Sequence, residues 1–171
     1  MCRFIQIGSL SVSLHYIPQI LRCYAKYSRY LRDDFAPCDE LFILSKLPYL
    51  WAITTQKGKF MGFVFLDNWV GNGNTNYSAE LTTCYEKEAW GSFTRYSAKF
   101  FLKYCFDRFG LQKIKAMVYP DNFRITKLLE SAGFKYESVL PAETMRNGKP
   151  QDINAYALYR SYYYKNEVKY E

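Results

Sequence analysis

Glu80 stands inside a β-prone run, Ala79-Glu80-Leu81-Thr82-Thr83-Cys84, and is a carboxylate that could accept a proton. Partial burial in a strand disfavours its charged form and lifts its pKa toward the range where a general base works. Facing water, the same residue is an ordinary strand carboxylate, and its type and position are compatible with both roles. Four residues on, Cys84 offers a thiol, but nothing near it in sequence would lower its pKa enough to make it a nucleophile. Glu88 to Thr94 form a loop directly ahead of a long amphipathic segment. Free amides at a helix N-terminus, together with the helix dipole, make a receptor for an anion. An ordinary helix start capped by Ser92 is the alternative. Asn122, after Tyr119-Pro120-Asp121, suits the N-cap of a further helix. His15 is the only histidine and no Cys-x-x-C pair occurs, so a zinc site would lack ligands and no metal is expected.

The elements that must position these groups are legible from periodicity and turn signals. Arg3 to Ile7 suits a short strand, Leu14 to Tyr30 a helix that is whole or broken near Pro18, and Asp39 to Leu47 a short helix ended by Pro48. Leu50 to Thr55, Phe60 to Leu66 and Tyr77 to Tyr85 then form a meander, with turns at Gln56-Lys57-Gly58 and Gly71-Asn72-Gly73-Asn74. Ala98, Phe101, Leu102, Cys105, Phe106 and Phe109 recur at helical spacing before a stop at Gly110. Strand Lys113 to Tyr119 follows, then a helix from Asn122 with Ile125, Leu128, Leu129 and Ala132 on one face, stopped by Gly133. Two closing strands, Tyr136 to Leu140 and Ile153 to Arg160, flank the turn Arg146-Asn147-Gly148-Lys149. This order predicts an α+β layer structure with helices packed on a mixed sheet, which can host many activities.

With 171 residues and 49% apolar composition, the chain can close one core, and a single domain over 1–171 is expected. No apolar run approaches the ~20 residues of a membrane span, and Ser, His, Gln and Pro interrupt the N-terminus before an export signal could form. Five scattered cysteines (2, 23, 38, 84 and 105) look like reduced thiols, so a soluble, cytoplasmic protein without a membrane partner is expected. The net charge of +7 suits an anionic cofactor, an acidic substrate or nucleic acid. Lysines 57, 59, 99, 103, 113, 115, 127, 165 and 169 are dispersed, which makes nucleic acid the less favoured partner.

The run from Phe109 to Asn122 (FGLQKIKAMVYPDN), continued by Leu128-Leu129-Glu130-Ser131-Ala132-Gly133-Phe134, resembles the strand, Asn-opened helix and terminal Gly-Phe of the GNAT N-acetyltransferase superfamily. Arg146-Asn147-Gly148-Lys149, Asp152 and Tyr156 to Arg160 resemble the tail of its ribosomal-protein N-terminal acetyltransferase branch. The likeness runs from about Trp51 to Arg160. It implies a mixed, mostly antiparallel central sheet with helices on both faces, and acetyl transfer from acetyl-CoA to a primary amine of a protein N-terminus or a small molecule. It also implies that Gly91, Ser92, Phe93 and Thr94 cradle the diphosphate. The backbone of Leu81, Thr82, Thr83 and Cys84 would pair with the pantetheine arm where the sheet splays, and Asn122 would hold that arm.

In the same likeness Glu80 is the general base, and a backbone amide near Thr82 or Thr83 meets the oxyanion. The usual donors to the departing thiolate are absent: Leu129 and Ile125 stand where a Tyr or a Ser is familiar, leaving Thr126, Tyr119 or water. The loop Glu88-Ala89-Trp90-Gly91-Ser92-Phe93 carries one glycine where two small positions are usual. A GNAT-fold binding or assembly protein without efficient catalysis is therefore the alternative expectation. Acetylation of an aminoacyl-tRNA is a minority one.

Overall fold

The computed structural model describes residues 1–36, 40–72 and 75–167. The chain runs β1 (Cys2–Gln6), α1 (Leu10–Lys26), α2 (Ser28–Leu31), α3 (Glu40–Leu44), β2 (Leu50–Thr55), β3 (Phe60–Gly71) and β4 (Asn76–Tyr85). A 3-10 turn, Lys87–Ala89, leads into α4 (Ser92–Phe109). β5 (Lys113–Val118), α5 (Phe123–Ser131), β6 (Lys135–Arg146), β7 (Lys149–Tyr159) and α6 (Arg160–Glu167) complete it. Seven strands form one sheet in the order β1-β2-β3-β4-β5-β7-β6. Among the described residues only the β4–β5 pair is parallel; the other five pairs are antiparallel.

Strict alternation along the central strands divides the interior into two layers. Trp51 and Ile53 of β2 and Val64 and Leu66 of β3 pack with Leu102, Cys105 and Phe106 of α4 and Leu128 and Leu129 of α5. Their neighbours Leu50, Ala52, Phe63 and Phe65 point the other way, onto Ile17, Ile20, Cys23 and Tyr24 of α1. Both faces of the sheet are thus covered by helices, as expected.

Several boundaries differ from expectation. α1 continues through Pro18 without a break, because the carbonyl that loses its partner belongs to Leu14, which is 69% exposed and can be hydrated. The helical run ends instead at Lys26, and α2 is a separate short piece. The closing strand stops at Tyr159, and Arg160 begins a helix absent from the sequence reading. α6 docks on α4: the Tyr163 ring lies 5.2 Å from Phe106, and the Arg160 guanidinium donates to the Phe106 carbonyl at 3.0 Å. Tertiary contact here overrides the strand preference of a Tyr-rich segment. Asp39, Cys38 and half of the Gly71 to Asn74 turn lie outside the described residues.

Candidate functional site

The sheet opens where β4 leaves β5. Their pairing covers only Ser78↔Lys113, Ala79↔Ile114 and Glu80↔Lys115, while β4 continues to Tyr85 along β3 and β5 continues to Val118 along β7. Beyond Glu80 the β5-facing edge of β4 has no strand beside it, so its outward amides and carbonyls face a gap. Two cavities, of about 380 and 430 Å³, occupy this gap and share Tyr30, Leu31, Thr83, Asn122 and Ile125 as walls. They form one slot across the sheet.

Trp90, the residue before the α4 N-cap, lines one end of the slot, while Gly91, Ser92, Phe93 and Thr94 are not among the described walls of either cavity. Gly91 is the N-cap residue of α4, at φ 117°, a conformation L side chains rarely adopt. Ser92 is therefore the first helical residue and not the cap. The amides of Gly91, Ser92, Phe93 and Thr94 make no hydrogen bond among the described residues, as the first turn of a helix leaves them. The Phe93 side chain packs onto the interior, and Trp90 stands edge-on to Tyr85 at 6.1 Å. Thr94 turns its hydroxyl inward to the Ala89 carbonyl at 2.6 Å. The two acidic residues of the loop are drawn off: Glu86 pairs with Lys26 at 2.6 Å and Glu88 with Lys59 at 2.5 Å. Arg124, whose guanidinium lies 5.9 Å from the Trp90 ring centre, is the only basic residue among the described walls of this end.

At the other end Glu80 lines the larger cavity, where the strands part. Burial pushes its carboxyl above the ordinary range, opposed by a 3.0 Å hydrogen bond from Asn68 and supported by the facing Asp67 charge. Thr82 and Thr83 line the same wall; the Thr83 hydroxyl donates to the Phe63 carbonyl at 3.3 Å. Asn122 lines both cavities and sits at the N-cap of α5, yet its side chain makes no capping bond and is available to the slot. Cys84 borders the smaller cavity, its sulfur 3.7 Å from that of buried Cys23.

The two expected proton donors to a thiolate are placed differently. Thr126 is absent from the walls of either cavity, because the slot-facing side of α5 is Asn122, Ile125 and Leu129. Tyr119 does line the larger cavity, but its hydroxyl donates to the Arg32 carbonyl at 2.9 Å. Burial and the Asp33 charge raise its pKa, so that proton is held.

Sequence reasoning missed the roof. The 29–36 segment after α1 is clasped to the β6–β7 hairpin: the Asp34 carboxylate accepts from the Asn147 and Gly148 amides, both at 2.8 Å, and Asp33 accepts from the Thr144 hydroxyl at 2.6 Å. Arg146 donates to Asp121 at 3.0 Å and to Gln151 at 3.1 Å, and lies 4.3 Å from the Tyr119 ring centre. The Asn147-Gly148 turn thus serves as an anchor whose partner, the Asp33-Asp34 pair, was visible only as two charges. Glu143, on the same hairpin, also lines the larger cavity.

Comparison with known proteins agrees with this fold. The model of the acetyltransferase (GNAT) domain matches residues 17–135. An uncharacterized N-acetyltransferase of Bacillus subtilis, YoaA, is 39% identical over 57 residues, which span 33% of this chain and only 32% of that one. The fold is similar to a spermidine N-acetyltransferase from Vibrio cholerae in complex with CoA and spermine, with TM-score 0.73, 24% identity and coverage of 96% of this chain and 97% of the other. A variant of that enzyme superposes with TM-score 0.77 at 20% identity, covering 97% and 98% of the two chains. The chain belongs to the GNAT family of N-acetyltransferases, enzymes that use acetyl-CoA.

Proposed function

We propose that this protein acetylates a small amine carrying more than one positive charge, with acetyl-CoA entering at the α4 end of the slot and the amine at the Glu80 end. One observation carries the reading: the slot is polarised. Arg124 and Trp90, the residue before the α4 N-cap, line one end, while Asp33, Glu80 and Glu143 line the other, with no lysine or arginine among its described walls. An acidic wall in a chain of net charge +7 favours a cationic acceptor. The resemblance to the spermidine enzyme supports the same class. A protein N-terminus, favoured by the likeness of the Arg146 to Lys149 tail, brings a single ammonium group and uses less of this wall.

The residues divide the work simply. Acetyl-CoA supplies an activated acetyl group. Gly91 to Thr94 offer amides to its diphosphate, the open edge of Leu81 to Cys84 offers backbone pairing to its amides, and Asn122 supplies a side-chain amide between them. Glu80 takes the proton that the ammonium must lose before its nitrogen can attack. The thiolate takes its proton from water, since Thr126 lies off the slot and Tyr119 is bonded elsewhere.

A thiol-release assay with acetyl-CoA should give higher kcat/KM for spermidine or spermine than for a monoamine or a peptide N-terminus. Glu143→Gln should raise KM for the polyamine by about fivefold, as for one exposed charge contact. A preference for peptides that Glu143→Gln does not alter would reverse the assignment. On the cofactor side, Gly91→Ala adds a methyl group that meets no atom within 4 Å, so its effect is conformational. Strain at this φ costs about 1–3 kcal/mol, and acetyl-CoA should bind roughly tenfold more weakly by calorimetry.

A further inference from the structure

β3 is irregular opposite the proposed base. Its register with β4 runs evenly from Gly62↔Tyr85 to Asp67↔Glu80, then shifts before Val70↔Ser78. Within that bulge Asn68 has φ 47°, in the left-handed region that a β-branched or bulky residue avoids and Asn tolerates. The bend brings the Asn68 amide to the Glu80 carboxylate, Nδ2 to Oε2, at 3.0 Å. A regular strand would send residue 68 to the face opposite Asp67, with no reason to reach a neighbour on β4. Bulges of this kind re-aim a side chain next to an active site.

Asp67 is the second part of the device. It pairs across the strands with Glu80 and is held by Lys46 at 2.7 Å, with both side chains mostly buried. Its other carboxylate oxygen is buried and has no hydrogen-bond partner among the described residues. Lys46 in turn lies 4.5 Å from the Phe42 ring centre and 5.0 Å from that of Phe65, which fixes it behind the sheet edge. Glu80 is therefore approached from one strand by a donor, Asn68, and by a like charge, Asp67. Lys115 on β5 stands level with it on the other side. Asp33 and Glu143 stand with Glu80 among the walls of the cavity.

We propose that the β3 bulge is a holder for the base: Asn68 is a positioning residue that aims the Glu80 carboxylate into the slot, and Asp67 opposes it by keeping Glu80 basic enough to take a proton from an ammonium. The two adjacent residues act in opposite directions on one carboxylate. Removing the Asn68 donor takes away a bond that favours the ionised form, so Glu80 titrates at higher pH. Removing the Asp67 charge takes away a repulsion and leaves Lys46 uncompensated, so Glu80 titrates at lower pH. The catalytic half of this inference rests on Glu80 being the base, as proposed above; the positional half does not.

The test follows Glu80 itself, by carbon-13 NMR titration of glutamate-labelled protein, with Glu80→Gln identifying the resonance. Asn68→Gly is the informative variant, because it keeps the left-handed backbone and deletes only the amide. The Glu80 midpoint should rise in Asn68→Gly and fall in Asp67→Asn, and the acidic limb of the kcat/KM profile should move with each. Thermal melts of the two variants verify that the protein remains folded. Midpoints that stay put, or that move in the same direction in both variants, overturn the proposal. Midpoints that move as stated while the rate profile does not uphold the holder and overturn Glu80 as base.

Discussion

Replacing Glu80 with Gln lowers turnover by at least about tenfold, and by about a hundredfold if the whole general-base contribution is lost. The substitution is nearly isosteric and keeps an oxygen for the Asn68 donor, so the slot keeps its shape and acetyl-CoA affinity should not change. What disappears is the proton acceptor. With Glu80 as the proposed base, the wild-type rate should rise with pH as Glu80 ionises, and burial should place that rise above the ordinary carboxylate range. In Glu80→Gln this limb vanishes, and the remaining rise follows the neutral fraction of the amine alone. Pre-steady-state and steady-state thiol release across pH measures both effects. An unchanged rate with an unchanged limb removes Glu80 from the mechanism and leaves proton loss to water.

Phe106→Ala destabilises the protein by about 3–5 kcal/mol. Phe106 is fully buried, belongs to the core cluster that joins α4 to the sheet, and is the surface on which Tyr163 and Tyr164 of α6 rest. A domain has about 5–15 kcal/mol of stability, so the variant loses a large share of it. Urea unfolding should show a lower midpoint with an unchanged slope, whereas Tyr162→Ala, at a position 54% exposed, should stay within about 0.5 kcal/mol of the wild type. A loss below about 1 kcal/mol for Phe106→Ala would mean that α6 is not docked where the structure puts it.

Legibility followed the range of the interactions. The helix carrying Phe101, Leu102, Cys105 and Phe106, the stop at Gly110 and the meander of β2 to β4 are written in local periodicity and turn chemistry, and the structure has them at nearly the expected residues. α6 was not legible, because Tyr162 to Tyr164 favour a strand until Phe106 is there to receive them. β3 was expected to end near Leu66, yet it runs past a bulge to Gly71. No pattern in Asp67-Asn68-Trp69 announces a bulge whose purpose lies on another strand. The slot-lining residues of β4 and Asn122 were readable through the family resemblance. Thr126 was not excluded by it, since a one-residue rotation about a helix axis decides which side chain meets the slot. The Asp33-Asp34 clasp joins segments more than a hundred residues apart, a pairing that no single sequence displays.

The central claim is that the open edge of β4 and the first turn of α4 together hold acetyl-CoA. Amide hydrogen exchange with and without acetyl-CoA tests it most directly. Saturating ligand should slow exchange at Leu81 to Cys84 and at Gly91 to Thr94, while the amides of Phe101 to Phe106, already bonded within the helix, stay unchanged. Exchange at 81–84 and 91–94 that is indifferent to acetyl-CoA would contradict the claim and favour a GNAT-fold assembly protein without efficient catalysis.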